Sequence, residues 1–229
     1  MKFSQATQKM ILDIVARGQA LRPMIPHIRV ISFPELKQHL TKEQSNFLKT
    51  FLALNPRKYG FRGPKYGITP PPKKLVTIRK ELLPGTKKIM TRGVHYLPYN
   101  VYCAYRAQNR AMLRDVGRRV FVTSGYRSPA YQTLLFLEFL VKDNFDLRKT
   151  LTRIAFPGYS EHGSPKVQAI DFVTMNLEAN STANPIFEAT PEYQWLCEHA
   201  HKYGFVLSYP RGNPHGVLFE PWHWSYQGR

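Results

Sequence analysis

Met10, Ile11, Ile14 and Val15 recur at helical spacing and predict a short helix with one apolar face near the amino terminus. A second helical tract runs from Ser32 or Pro34 to Leu54, with Phe33, Leu36, Leu40, Phe47, Leu48, Phe51 and Leu52 as its apolar positions. Within it Thr41-Lys-Glu-Gln44 reads as a capping box, in which a threonine hydroxyl and a glutamine side chain satisfy orphan backbone N–H groups, so a new helix starts there. From Asn55 to Lys74 the pattern gives way to proline, glycine and basic residues ending in T-P-P-P-K-K, an extended, partly polyproline connector. Val76 to Leu83 adds a strand or a short helix.

Periodicity returns downstream. Asn100 to Val116 predicts a helix with Ala104, Ala111, Met112 and Leu113 available for packing, and Val120 to Thr123 a strand. Gly125 allows a sharp turn that presents Arg127. Pro129 suits the first turn of a helix running through Leu134, Leu135, Leu137, Phe139 and Leu140. Pro157 and Gly158 break the chain ahead of a loop, and Ala169 to Thr174 predicts a central strand with Asp171 near one end. Asn176 to Thr190 reads as a polar surface excursion, Pro191 to Lys202 as a helix, Phe205 to Ser208 as a strand, and Arg211 to Gly216 as a turn into the final strand. Helices and strands without regular alternation imply an α+β fold, with helices packed on a small antiparallel sheet. A soft boundary between residues 75 and 95 separates a partly helical extension, residues 1–95, from a core, residues 96–229.

Composition sharpens this division. A chain of 229 residues with 43% hydrophobic positions suits a full-sized globular domain plus a sizeable extension and excludes disorder. The net charge of +18 is unevenly spread: residues 1–100 hold 19 Lys and Arg against 4 Asp and Glu, and residues 101–229 hold 14 against 11. The basic surface therefore belongs to the extension, where it suggests adhesion to a polyanion such as a wall polymer or anionic lipid, or simply a solvated face. Nucleic acid is disfavoured, because aromatic residues there follow no recognition-module pattern. Cys103 and Cys197 sit among apolar neighbours at helical spacing and read as buried free thiols, with a disulfide between them left open. Asp13 interrupts an apolar run already too short for a secretory signal, and no stretch is long enough to span a membrane. The chain is then cytoplasmic, or a form from which a signal has been removed, or exported by another route.

Two stretches carry candidate chemistry. S-E-H-G-S-P-K-V-Q-A-I-D, Ser160 to Asp171, sets a histidine and an aspartate around a loop that runs into a strand, and E-P-W-H-W-S-Y, Glu220 to Tyr226, places a glutamate three residues before a histidine. Zinc that does chemistry is held by three ligands drawn from histidine nitrogen and carboxylate oxygen, with one position open. His162, Asp171 and His223 supply that count, and Glu220 is placed as a carboxylate base that does not ligate. Strict alternation along a strand would put Glu220 and His223 on opposite faces. Pro221, which lacks a ladder N–H, marks the place where loop becomes strand and both side chains can turn to one metal. Against this, Asp171 could simply end a strand, and Glu-Pro-Trp-His-Trp could be an aromatic core strand.

A third segment, S-G-Y-R-S-P-A-Y-Q from Ser124 to Gln132, completes a likeness. With F-P-G-Y-S-E-H followed by A-I-D (Phe156 to Asp171), with E-P-W-H-W-S-Y, and more weakly with Trp195 to Pro210, it resembles the VanY-like D-alanyl-D-alanine and L,D-carboxypeptidases, zinc peptidases that trim peptidoglycan stems. The likeness covers Tyr96 to Arg229. It implies His162, Asp171 and His223 as zinc ligands, Glu220 as catalytic base, and Arg127 with Gln132 and Ser160 as the holders of the substrate's terminal carboxylate or adjacent backbone. An arginine fork matches a carboxylate bidentately, as a carboxypeptidase requires. The family writes its first two ligands as H-x-x-G-x-A-x-D, whereas His162 and Asp171 are nine apart, which looks like a two-residue insertion. Even doubling a loop costs only about 0.6 kcal/mol, so the ligands are expected still to converge.

The function expected is an exported zinc carboxypeptidase that removes a terminal D-amino acid from a peptidoglycan stem peptide. A zinc endopeptidase cutting inside such peptides shares the metal and is an open alternative. A non-catalytic wall-binding protein with a structural metal is a third, opposed by Glu220, since a structural site closes with a fourth protein ligand and needs no base.

Overall fold

The computed structural model describes residues 3–82, 89–90, 93–175 and 184–228. Helices are α1 (Gln5–Met24), α2 (Phe33–Lys37), α3 (Lys42–Leu52), α4 (Tyr99–Val116), α5 (Pro129–Lys142), α6 (Leu147–Leu151), α7 (Asn184–Glu188) and α8 (Pro191–His199). Strands are β1 (Leu75–Ile78), β2 (Glu81–Leu82), β3 (Ile89–Met90), β4 (His95–Pro98), β5 (Phe121–Ser124), β6 (Gln168–Val173), β7 (Phe205–Leu207) and β8 (His223–Tyr226). The chain is α+β, as its pattern predicts. Its contacts form two compact units, one of Met1–Pro71, Arg127–Ser164 and Pro214–Leu218, the other of Pro72–Tyr126, Pro165–Asn213 and Phe219–Arg229. Residues 127–164 thus share a unit with the first 71.

The first unit is helical. Ser4 caps α1, whose Ile11, Ile14, Val15, Gly18 and Leu21 form one buried stripe. A Cβ on Gly18 would lie 3.1 Å from the Leu134 side chain, so α1 and α5 approach closely there. α3 opens with the expected capping box, Thr41 and Gln44 exchanging bonds in both directions, and delivers Phe51 onto Phe136 and Phe156 at ring separations of 6.0 and 5.5 Å. The tract thus holds two helices, α2 and α3, the second starting after Thr41 as the capping box implies. The connector is extended after a short 3₁₀ turn at Pro56–Tyr59, and α6 appears in a stretch where no element was predicted, capped by Asp146.

The second unit is built on a four-stranded antiparallel sheet in the order β5-β6-β8-β7, with the two-stranded pairs β1-β4 and β2-β3 beside it in sequence. β6 is central, as expected, and its residues Ile170, Phe172 and Val173 are buried in a core that also takes in Val101, Tyr105 and Met112 of α4 and Trp195 and Leu196 of α8. Gly125 follows β5 where only glycine fits: a Cβ would stand 2.3 Å from the Tyr96 carbonyl, which accepts the Tyr126 N–H.

The final strand begins at His223, with Pro221 and a turn at 220–222, in keeping with Pro221 as the place where loop becomes strand. Two expectations need correction. Residues 176–190 are not one polar excursion, since 184–188 form α7 and bury Phe187; 176–183 lie outside the described residues. Cys103 and Cys197 are free and exposed rather than buried, lying on the outward faces of α4 and α8. Among the described residues no helix is long and apolar enough to cross a membrane.

Candidate functional site

Within the second unit, Asp171 of β6 stands directly across from His223, the first residue of β8. Opposed residues of an antiparallel pair share a face, and Asp171 Oδ1 lies 3.0 Å from His223 Nδ1. Glu220 reaches the same nitrogen from the turn. Its carbonyl accepts the His223 N–H at 3.1 Å and its own N–H donates to the Tyr209 carbonyl at 3.1 Å, which folds the segment back. Its Oε2 is then 3.6 Å from His223 Nδ1. A turn therefore does what strand alternation forbids.

The surroundings hold this triplet in place. Phe172 donates its N–H to the Trp222 carbonyl at 2.9 Å, and the Trp224 indole donates to the Pro221 carbonyl at 2.9 Å, so the turn is tied on both sides. The Tyr209 ring packs on the His223 imidazole with centroids 4.7 Å apart. Side chains of His223, Asp171 and Glu220 are only 6, 16 and 14% exposed. Two shielded carboxylates aimed at one imidazole nitrogen make a negative focus that a cation neutralises.

The other predicted residues lie in the first unit. Ser160 caps the 3₁₀ turn Glu161–Gly163, its hydroxyl accepting the His162 N–H at 3.3 Å. The His162 carbonyl accepts the Arg127 N–H at 2.9 Å, joining the two loops that carry these residues. Gly163 permits the approach, since a Cβ there would be 2.7 Å from the Arg127 carbonyl. Arg127 is part-exposed, and the corner after it is fixed by Ser128, which caps α5, donates its hydroxyl to the Ile31 carbonyl at 2.6 Å and its N–H to the Arg29 carbonyl at 2.9 Å. Gln132, expected among the substrate-binding residues, donates its side-chain amide to the Ala155 carbonyl at 2.8 Å and is buried, which ties α5 to the loop leading to Ser160.

Residues that sequence reasoning missed flank these positions. Tyr66 and Gly67, in the connector, both donate N–H groups to the Gly158 carbonyl at 2.9 Å, and the Tyr66 hydroxyl donates to Glu161 at 3.4 Å, one residue before His162. Burial and the Glu161 charge hold the Tyr66 hydroxyl well above the usual phenol range. Burial alone pushes Tyr126, beside Arg127, up to about 12. No local pattern signals Tyr66, because its partners are more than 90 residues away; Tyr209 lay in a segment already matched to the family, but packing against an imidazole leaves no motif.

His162 of the first unit, and Asp171 and His223 of the second, each offer one atom that could ligate a metal ion. Two imidazoles and a carboxylate are the donor set of a zinc-class divalent ion.

The sequence pattern of the family described as VanY: D-alanyl-D-alanine carboxypeptidase matches residues 95–229, more than half of the chain, and the chain belongs to that family. Particular relatives are more partial. The D-alanyl-D-alanine carboxypeptidase of Enterococcus faecium is 34% identical over 148 residues, 61% of this chain and 42% of that protein. YodJ of Bacillus subtilis (strain 168), provisionally named a carboxypeptidase, is 32% identical over 117 residues, 49% of this chain and 40% of its own length. The chain thus spans about two fifths of these curated relatives. A solved structure, the LdcB LD-carboxypeptidase, described for its recognition of peptidoglycan, aligns with a TM-score of 0.57 at 24% identity over 76% of this chain and 78% of that one, a likeness of fold.

Proposed function

We propose that this chain is a zinc-dependent carboxypeptidase that removes the terminal D-alanine from a peptidoglycan stem peptide. The observation that carries this reading is the meeting of Asp171 and Glu220 at His223 Nδ1, 3.0 and 3.6 Å away, because it sets a second carboxylate beside a ligand pair. Family membership supports the substrate class, which is a polymer of the cell envelope, and the reading puts the protein there.

His162, Asp171 and His223 would hold the ion, and the chemistry it would supply is Lewis acidity. Glu220 takes a proton from the attacking water and returns it to the leaving amine as the C–N bond breaks, so one water is consumed and free D-alanine leaves beside a new peptide carboxylate. Arg127 pairs bidentately with the terminal carboxylate, which sets the reacting bond one residue in. Ser160 holds the turn that carries His162, and both Ser160 and Gln132 set the wall on which that carboxylate rests.

A pair of stem peptides, one with a free terminal carboxylate and one with a terminal amide, tests the exopeptidase reading. The amide is expected to be cleaved on the order of a hundredfold more slowly, the loss of a buried charge-assisted pair, and Arg127→Ala to bring the two together by slowing the acid form. Equal cleavage of both by the unaltered protein overturns it in favour of an endopeptidase.

A further inference from the structure

The second unit contains a cavity of about 420 Å³ that the peptidase site does not use, set between the β1–β2 region and one face of α4. Its lining carries five cations, Arg79, Lys80, Arg106, Arg110 and Arg119, and one carboxylate, Glu81. That carboxylate is already committed. Glu81 accepts from the Tyr105 hydroxyl at 2.5 Å, from Arg119 at 3.0 Å and from the Val122 N–H at 3.4 Å, and its side chain is 12% exposed. Arg119 in turn lies over the Phe121 ring at 4.9 Å. Arg106 donates to the Tyr102 hydroxyl at 3.0 Å, and Arg79, Lys80 and Arg110 have no acidic partner among the described residues. Four cations in excess around one concavity repel each other, and a walled cleft focuses their field outward to draw in an anion.

From this geometry we infer that the cavity is a binding site for a phosphodiester unit of a linear polyol-phosphate polymer. Liquid water takes about 30 Å³ per molecule, so the volume holds a phosphate with the polyol or sugar attached, while flanking phosphates of a chain reach the exposed Lys80 and Arg110 at its rim. A nucleic acid is the poorer match. Non-specific single-strand binding relies on open aromatic faces for base stacking. Tyr105 is buried, and the Arg106 guanidinium sits over the Tyr102 ring, 5.8 Å from its centroid. Such a site would hold the protein on the anionic polymer of an envelope. Arg79 and Lys80 belong to the basic extension, residues 1–95, where composition puts the polyanion contact, and Arg106, Arg110 and Arg119 add to it from beyond that boundary.

Calorimetric titration tests this at two salt concentrations with three probes, a synthetic glycerol-phosphate oligomer, inorganic phosphate and a single-stranded DNA oligonucleotide. The oligomer is expected to bind most tightly. The triple variant Arg79→Gln, Lys80→Gln, Arg110→Gln should weaken it on the order of tenfold or more and lower the salt slope by about two. Removing the same charge elsewhere, with Lys37→Gln, Lys49→Gln and Lys58→Gln, should leave affinity within about twofold, because long-range effects of exposed charges are screened. Both variants should melt as the parent does and should cleave a soluble stem peptide at the parental rate, which separates this proposal from the peptidase reading. Equal weakening by both triples, tighter binding of the oligonucleotide, inorganic phosphate binding as tightly as the oligomer, or no binding of the oligomer would each overturn it.

Discussion

Glu220 is the residue on which the proposed chemistry turns, and its position follows from three backbone bonds rather than from a strand. Glu220→Gln keeps the shape and removes the base, so turnover should fall on the order of a hundred- to ten-thousandfold while the bound metal, measured by atomic emission, stays stoichiometric. Undiminished turnover would assign the base elsewhere. Tyr126 makes a second residue-scale test. Its hydroxyl is buried, makes no hydrogen bond among the described residues, and titrates up to about 12. An unfolded tyrosine ionises near pH 10, so between about pH 10 and 12 the unfolded chain loses this proton first and stability falls as pH rises. Tyr126→Phe should remove that part of the alkaline loss and leave neutral-pH stability equal or higher; a clear loss of melting temperature at pH 7 would show that the hydroxyl is satisfied in the fold. The candidate positions His162, Asp171, Glu220 and His223 can be picked out from the sequence because each sits in a short motif. Tyr66 cannot, since its hydrogen bonds to Gly158 and Glu161 reach partners more than 90 residues away.

At the scale of elements, local signals were reliable where the physics is local. The capping box at Thr41 and Gln44 was legible because both partners lie within one turn, and Thr41→Ala should cost about 1 kcal/mol, measured by urea unfolding; no change would mean that α3 is held by Phe51 packing alone. Proline at the start of α5 and α8 fixed their first turns in the same way. α7 was missed because its five residues have too short a periodicity to stand out from polar neighbours. The cysteines misled because apolar neighbours at helical spacing do not say which side of the helix each thiol takes, and Cys103 and Cys197 took the outer one. Gly125 is a point of close backbone approach in the second unit. A methyl there meets the Tyr96 carbonyl at 2.3 Å, so Gly125→Ala should destabilise by about 1–3 kcal/mol through overpacking, and an unshifted melting curve would show that β4 and β5 can separate at no cost.

For the whole molecule, the chain order conceals how the core is shared. Phe51 of α3 packs on Phe136 and Phe156, and Ile11, Ile14 and Leu21 of α1 belong to the same buried cluster as Leu134 and Leu137 of α5. Sequence reading set the boundary by composition, and composition is blind to contacts between residues a hundred apart. Deleting residues 1–71 should therefore leave a protein without cooperative unfolding, seen by calorimetry, because α5 would expose its apolar face. A fragment that melts sharply would show that the helical segment is dispensable. Metal should be coupled to stability in the same molecule: at a hundredfold excess over its dissociation constant, zinc should add about 2.7 kcal/mol, so chelation should lower the melting temperature and zinc should restore it.

The central claim is the bond that is cut, and mass spectrometry of a pentapeptide and a tetrapeptide stem incubated together with the zinc-loaded protein reads it directly. Loss of the mass of one alanine from either stem, absent with Glu220→Gln, is the result predicted, and the stem that loses it decides between a bond joining two D-alanines and the bond before a single one. Internal fragments with the terminal residue intact, or two unchanged stems, would contradict it.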